Sequence, residues 1–224
     1  FESFFLKPTE LITNGEFTSN INSWTTIAGS GSAAYNSGGN GRARLNDYAI
    51  YQAISTVKNK QYKIQVRAYD TVGTGQAFKI QVGTAAEGTQ NLSTTLTVTN
   101  FGEGKIIDAT FTATATTTYV TINNPTTATN MDVDYVRVSR SDITPSKLAY
   151  ITYDTYLQTN KPADDVNASS AYGKPTKIIR KPDYSSFILS PKPNTGEYTI
   201  SYDYYTTHTD LSAHGDNMGL PDRF

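Results

Sequence analysis

The 224-residue sequence has no cysteine, one tryptophan, two histidines and two methionines. Without cysteine there can be no disulfide, thiolate metal site or cysteine nucleophile, which fits a cytosolic origin or a particle assembled in the cytosol. No apolar run approaches the roughly 20 residues of a membrane-spanning helix, and no leader-like segment is visible. The first residue is Phe1 rather than methionine, as expected for a piece of a longer chain. Neither sign of charge dominates: 19 Lys and Arg stand against 20 Asp and Glu, with no basic block. That argues against nucleic acid as the main partner, because such binding needs a concentrated cationic surface.

Catalytic constellations are also missing. His208 and His214 lie six apart in a polar stretch, where they either share a metal or simply face solvent. Neither stands near a nucleophile elbow, so no Ser-His-Asp arrangement is predicted. Asp164 and Asp165 sit in an expected loop and suit solvation better than glycoside hydrolysis, which needs two carboxylates across a cleft. No glycine-rich phosphate loop precedes a helix. The chain is not expected to be an enzyme.

Threonine, serine, asparagine, glycine and tyrosine are abundant, and this favours strands and turns over helices. The text divides into unlike parts. Residues 11–140 read as a self-contained β module, and residues 141–224 are proline-punctuated and tyrosine-rich. The apolar lead in residues 1–10 groups with the latter, so a module inserted into a host domain is expected. Inside the module, Tyr62, Ile64, Val66 and Ala68 alternate with polar neighbours, as do Phe78, Ile80 and Val82, Leu96 and Val98, and Val120 and Ile122. Period two places each set on one face of a strand. Turn signals fall at residues 36–41, 58–59, 72–75, 102–104 and 123–126, and the glycine- and serine-rich stretch 29–41 reads as a loop. A two-sheet antiparallel sandwich is the predicted fold. In the last strand, residues 131–138, the apolar face switches after Tyr135, which suggests a strand ending buried on both sides.

The opening Leu11-Ile12-Thr13-Asn14-Gly15-Glu16-Phe17 followed by Asn22-Ser23-Trp24, the Tyr51-Gln52-Ala53-Ile54 stretch before Lys60-Gln61-Tyr62, and the closing Asp134-Tyr135-Val136 together resemble jelly-roll carbohydrate-binding modules. The resemblance implies sugar binding, and frequently a structural calcium between the first loop and the last strand. Trp24 then either stacks on a sugar ring or belongs to the core. Arg42, Arg44, Tyr48 and Tyr51 form a candidate polar-aromatic binding face, or are ordinary exposed strand residues. Glu16, Asp132 and Asp134 are candidate calcium ligands, or rim carboxylates facing water.

In the second part Thr144 and Pro145 suit a helix start, and residues 146–159 read as a helix, with a strand as the alternative. Residues 161–173 read as a loop. Strands are predicted over 176–180, 185–190 and 197–206, joined by proline turns into a small antiparallel meander. The order Gly173-Lys174-Pro175, Phe187-Ile188-Leu189-Ser190-Pro191, Tyr198-Thr199-Ile200-Ser201-Tyr202-Asp203-Tyr204-Tyr205 and Leu220-Pro221-Asp222-Arg223-Phe224 resembles tailed-phage head-to-tail adaptor and neck proteins. That resemblance implies a virion structural protein, assembled in the host cytoplasm, in a homo-oligomeric ring with the portal and other neck or tail proteins as partners. Tyr198, Tyr202, Tyr204 and Tyr205 would line the subunit interface, where tyrosine joins apolar area to a polar tip. Surface polysaccharide is a further expected partner of the sandwich. The alternative is a secreted carbohydrate-binding module of a glycosidase or bacterial surface protein.

Overall fold

The computed structural model describes residues 3–27, 31–39, 41–71, 76–98, 104–125, 129–164, 172–183, 186–194 and 196–203. The chain divides into two compact units, residues 8–144 and residues 1–7 with 145–224. The first strand, β1 (Ser3–Pro8), begins the discontinuous unit.

Ten strands build the 8–144 unit: β2 (Thr25–Ile27), β3 (Ser32–Asn36), β4 (Arg42–Asn46), β5 (Tyr48–Ser55), β6 (Gln61–Asp70), β7 (Gln76–Gly83), β8 (Leu92–Val98), β9 (Lys105–Thr112), β10 (Thr117–Asn124) and β11 (Asn130–Arg140). They form two five-stranded antiparallel sheets, one in the order β2-β5-β10-β7-β8 and the other β3-β4-β11-β6-β9. The predicted antiparallel sandwich is therefore present. Its core is made by the alternating side chains: Ile50, Ile80, Val82, Val120 and Ile122 from the first sheet meet Leu45, Ile64, Val66, Met131 and Val136 from the second. Tyr62 is fully buried, stacks on Phe111 with centroids 5.5 Å apart, and its hydroxyl accepts from Val57 N at 2.7 Å. A buried hydroxyl left without such a partner would cost about 1–3 kcal/mol.

Two local expectations change. The face switch in the last strand is a β-bulge: pairing of β11 with β6 slips between Val133 and Tyr135. One extra residue inverts the alternation, so Met131 and Val133 point inward before it, and Val136 and Val138 after it. The stretch 29–41 contains β3, which pairs with β4 through Ala34↔Arg44 and Asn36↔Arg42. Its small side chains hid a strand that tertiary pairing stabilises.

The other unit contains β12 (Ser146–Lys147), β13 (Ala149–Ile151), α1 (Tyr153–Thr159), α2 (Lys161–Asp164), β14 (Tyr172–Gly173), β15 (Lys177–Arg180), β16 (Phe187–Ser190), β17 (Lys192–Pro193) and β18 (Tyr198–Asp203). The helix expected over 146–159 is confined to its second half, where the Thr152 hydroxyl caps it by accepting from Thr155 N. The first half is strand. β15 and β16 pair antiparallel as expected, whereas β18 leaves them to flank β1 in a sheet ordered β12-β1-β18. The reason is apolar burial: Phe4, Leu6, Leu148 and Ile178 form a small core, against which Leu189, Tyr198 and Ile200 pack. Among the described residues no helix is long and apolar enough to cross a membrane.

Candidate functional site

Trp24, and the four residues Arg42, Arg44, Tyr48 and Tyr51 expected to form a binding face, do not share one surface in the fold. Trp24 is 7% exposed, lies 5.6 Å from the Phe17 ring, and donates its indole N–H to Asn14 O. It is a core residue. Tyr48 and Tyr51 lie three apart on β5, so alternation sends them to opposite faces. Arg42 and Arg44 belong to the other sheet.

There they meet the carboxylates expected to hold calcium. Arg44 Nε and Nη2 donate to Asp132 Oδ1 and Oδ2 at 2.8 and 2.9 Å, and Asn36 Nδ2 adds a bond of 2.8 Å to the same group. The Asp132 carboxylate holds the Arg44 pKa above its ordinary value. Asp134 faces Arg42 Nε at 3.3 Å and Arg67 Nη1 at 3.6 Å, while Arg42 lies 3.7 Å over the Tyr69 ring. Glu16 accepts from Arg137 Nε at 2.7 Å, which raises the Arg137 pKa. Each carboxylate is thus neutralised by its own guanidinium, and among the described residues no group of three metal-ligating side chains converges. As a donor set, Glu16, Asp132 and Asp134 do not fit one calcium ion.

Tyr198 packs against the small core and Tyr202 is 50% exposed, 6.0 Å from Phe4. Tyr204, Tyr205, Asp165, His208 and His214 lie outside the described residues, and Asp164 ends α2.

The outer face of the β2-β5-β10-β7-β8 sheet presents a different constellation. Tyr51 from β5 and Tyr119 from β10 stand side by side, half-buried, with ring centroids 5.9 Å apart and planes tilted by 42°. Register sets their neighbours: Tyr119 is opposite Ala53 and Gly83, Thr121 opposite Tyr51 and Gln81, and Asn123 opposite Ala49 and Lys79. The loop between β7 and β8 folds back over this face. Glu87 N donates to Thr121 Oγ1 at 2.9 Å, Gln81 Nε2 donates to Glu87 O at 3.0 Å, and Asn123 Nδ2 reaches Glu87 Oε1 at 3.4 Å. Glu87 has φ of 59°, a left-handed conformation unusual for a residue with a side chain. Gly83 makes the close approach possible, since a Cβ there would come 2.5 Å from the Gly88 backbone. The result is a two-tyrosine floor beside a wall that ends in an exposed carboxylate.

Chemically, aromatic rings offer apolar faces to C–H groups, and the amides and carboxylate accept or donate to hydroxyls. Gln81, Glu87, Tyr119 and Asn123 were not singled out in the sequence. For Gln81, Tyr119 and Asn123 the signal was present, because they alternate with the apolar residues of β7 and β10, whereas Glu87 lies in the β7–β8 loop and carried none.

No protein-family model matches the chain, and no curated protein matches it. Several solved structures are similar. A CBM4 module is 17% identical, the match covering 58% of this chain and 99% of that one with a TM-score of 0.48. A CBM61 module solved with β-1,4-galactotriose is 14% identical over 59% of this chain and 99% of that one, TM-score 0.49. The CBM22-1–GH10 modules of a Clostridium thermocellum endo-1,4-β-D-xylanase are 17% identical, covering 62% of this chain and 30% of that one, TM-score 0.47.

Proposed function

We propose that the 8–144 unit is a non-catalytic glycan-binding module whose sugar platform is the face around Tyr51 and Tyr119. The paired tyrosines on a solvent-facing sheet carry this reading. Support comes from the polar residues set beside them and from the left-handed Glu87, since backbone strain tends to be retained where function needs it. The resemblance of residues 11–140 to carbohydrate-binding modules agrees with it. Glycan-array and affinity-electrophoresis measurements on the 224-residue protein test the platform. Tyr51→Ala and Tyr119→Ala are each expected to weaken binding by about tenfold or more, as for an aromatic anchor, with an unchanged circular dichroism spectrum. Unaltered binding by both variants would refute the assignment.

A second reading concerns where this module works. The unit of residues 1–7 and 145–224 is discontinuous, with Phe5 and Leu6 opposite Lys147 and Ser146, as in a host that carries an insert. Together with the adaptor-like order of residues 173–224, this is the support for a virion neck subunit displaying a glycan-binding sandwich, and the likeness of residues 11–140 to carbohydrate-binding modules fits a secreted module of a glycosidase or surface protein at least as well. Sedimentation with and without portal protein separates the two. A discrete oligomer or portal complex favours the neck, and a strict monomer that ignores portal favours the secreted module.

A further inference from the structure

Beside the tyrosine platform the β2-β5-β10-β7-β8 sheet is incomplete. β2 pairs with β5 only from Ile27↔Ala49 to Thr25↔Tyr51, and then Ser23, at φ of 73°, turns the chain away. Ala53 to Ser55 of β5 therefore has no strand on that side among the described residues. The gap is an open cleft of about 460 Å³ whose lining includes Glu10, Thr13, Ser23, Gln52, Ala53 and Ser55. Ala53 is the cross-strand partner of Tyr119, and both Ala53 and Ser55 are exposed. The cleft thus begins where the platform ends, with only a methyl group between them.

Its lining combines hydroxyl groups and one carboxylate with the apolar residues Leu11 and Ile54. Thr13, Ser23 and Ser55 supply small polar groups. At its rim stands Glu10, whose Oε1 is fixed by Val138 N at 2.6 Å and Ile12 N at 3.0 Å. Glu87 stands at the opposite end of the platform. A chain crossing the strands from Glu87, over Tyr119 and Tyr51, to the cleft would pass between two carboxylates. Lys79 lies opposite Asn123, whose amide reaches Glu87, so the charge selection argued here rests on Glu10 and not on the Glu87 end.

We propose that this cleft is an additional subsite of the platform, filled only by glycan chains longer than the two or three sugars the tyrosines can cover, and that it takes uncharged sugars while disfavouring uronates. This rests on the platform reading above. A hydroxyl of an uncharged sugar can donate to Glu10, whereas a uronate carboxylate would bring like charge against it.

Calorimetric titration of the 224-residue protein with cello-, xylo- and galacto-oligosaccharides of two to six residues, and with oligogalacturonates of the same lengths, tests both parts. For an uncharged series that binds, affinity should rise by about tenfold between the disaccharide and the hexasaccharide, and hexagalacturonate should bind more weakly. Ser55→Trp, which fills the cleft from an exposed position, should abolish the gain with length and leave the disaccharide affinity unchanged. Glu10→Gln, which keeps an acceptor for Val138 N and Ile12 N, should narrow the preference for uncharged chains severalfold. Affinity that stops rising at two sugars, or a length gain that survives Ser55→Trp, overturns the subsite while leaving the platform intact. A preference unmoved by Glu10→Gln overturns its charge selection. No binding by any series, or binding indifferent to Tyr51→Ala and Tyr119→Ala, overturns the platform itself.

Discussion

Gln52 is the residue whose removal should most clearly separate structural from superficial polar groups. It is 8% exposed, and its amide holds two loop segments at once. Oε1 accepts from Thr13 N at 2.8 Å, while Nε2 donates to Thr13 O at 2.9 Å and Ser23 O at 3.0 Å. Gln52→Ala strands one backbone donor and two backbone acceptors in a partly buried place. At about 1 kcal/mol for each, with about 1 kcal/mol more for the space vacated, the cost is about 3–4 kcal/mol. Trp24 makes the measurement selective, because the only tryptophan lies in the core of the sandwich and reports its unfolding alone. In urea titrations followed by tryptophan fluorescence, the midpoint should fall with little change in slope. Gln65→Ala is the control: Gln65 donates to Asp108 in an exposed setting, so its loss should stay within about 0.5 kcal/mol. A Gln52→Ala cost below about 1 kcal/mol, or equal to that of Gln65→Ala, would refute the clamp.

Three other outcomes are expected. Chelator and added calcium should leave the melting temperature unchanged, because arginines occupy the carboxylates; Asp132→Ala should cost about 1 kcal/mol, since the Arg44 side chain it releases is 38% exposed and can be hydrated, and a chelator-sensitive melt would contradict this. Gly83→Val should lift the β7–β8 loop and weaken glycan binding by about tenfold while leaving most of the fold intact by circular dichroism; undiminished binding would detach Glu87 from the site. Stability should respond to pH with two signs. Lys63 lowers the Asp108 pKa and Arg140 lowers that of Asp142, so their contribution is present above the ordinary aspartate value and is lost as pH falls through the lowered folded values. Burial raises the Glu10 pKa, so its contribution is present below the ordinary glutamate value and is lost as pH rises through the raised one. Denaturation at pH 3–7 should show Asp108→Asn converging on the parent protein at low pH and Glu10→Gln gaining relative to it as pH rises, and parallel curves would contradict the linkage.

The strands of the sandwich were legible where burial is one-sided, since Tyr62, Ile64 and Val66 announce a face without any knowledge of partners. The same signal failed at Asp134, where one extra residue turns the apolar row over, and at residues 32–36, whose small side chains carry little signature. Site residues were harder still. Arg42 and Tyr51 are only nine residues apart yet belong to different sheets, and only register reveals this. Reading strands by their apolar face drew attention away from Tyr119, Gln81 and Asn123, which lie on the other side. The pairing of β18 with β1 joins opposite ends of the chain and has no local cause.

Leu6 lies directly opposite Ser146, so β1 and β12 form a hairpin whose turn is the whole of residues 8–144. Closing a hairpin over so long a flexible segment would carry a large entropic penalty, but in the folded sandwich the segment's two ends are already held together, with Leu11 N bonded to Val138 O at 2.8 Å. To the hairpin it behaves like a turn of only the few flanking residues. Melting the sandwich would restore a loop roughly tenfold longer and cost the β1–β12 pairing about 2 kcal/mol. Damage deep in one unit is thereby felt as slackness in the other, with no side chain needed to carry the message.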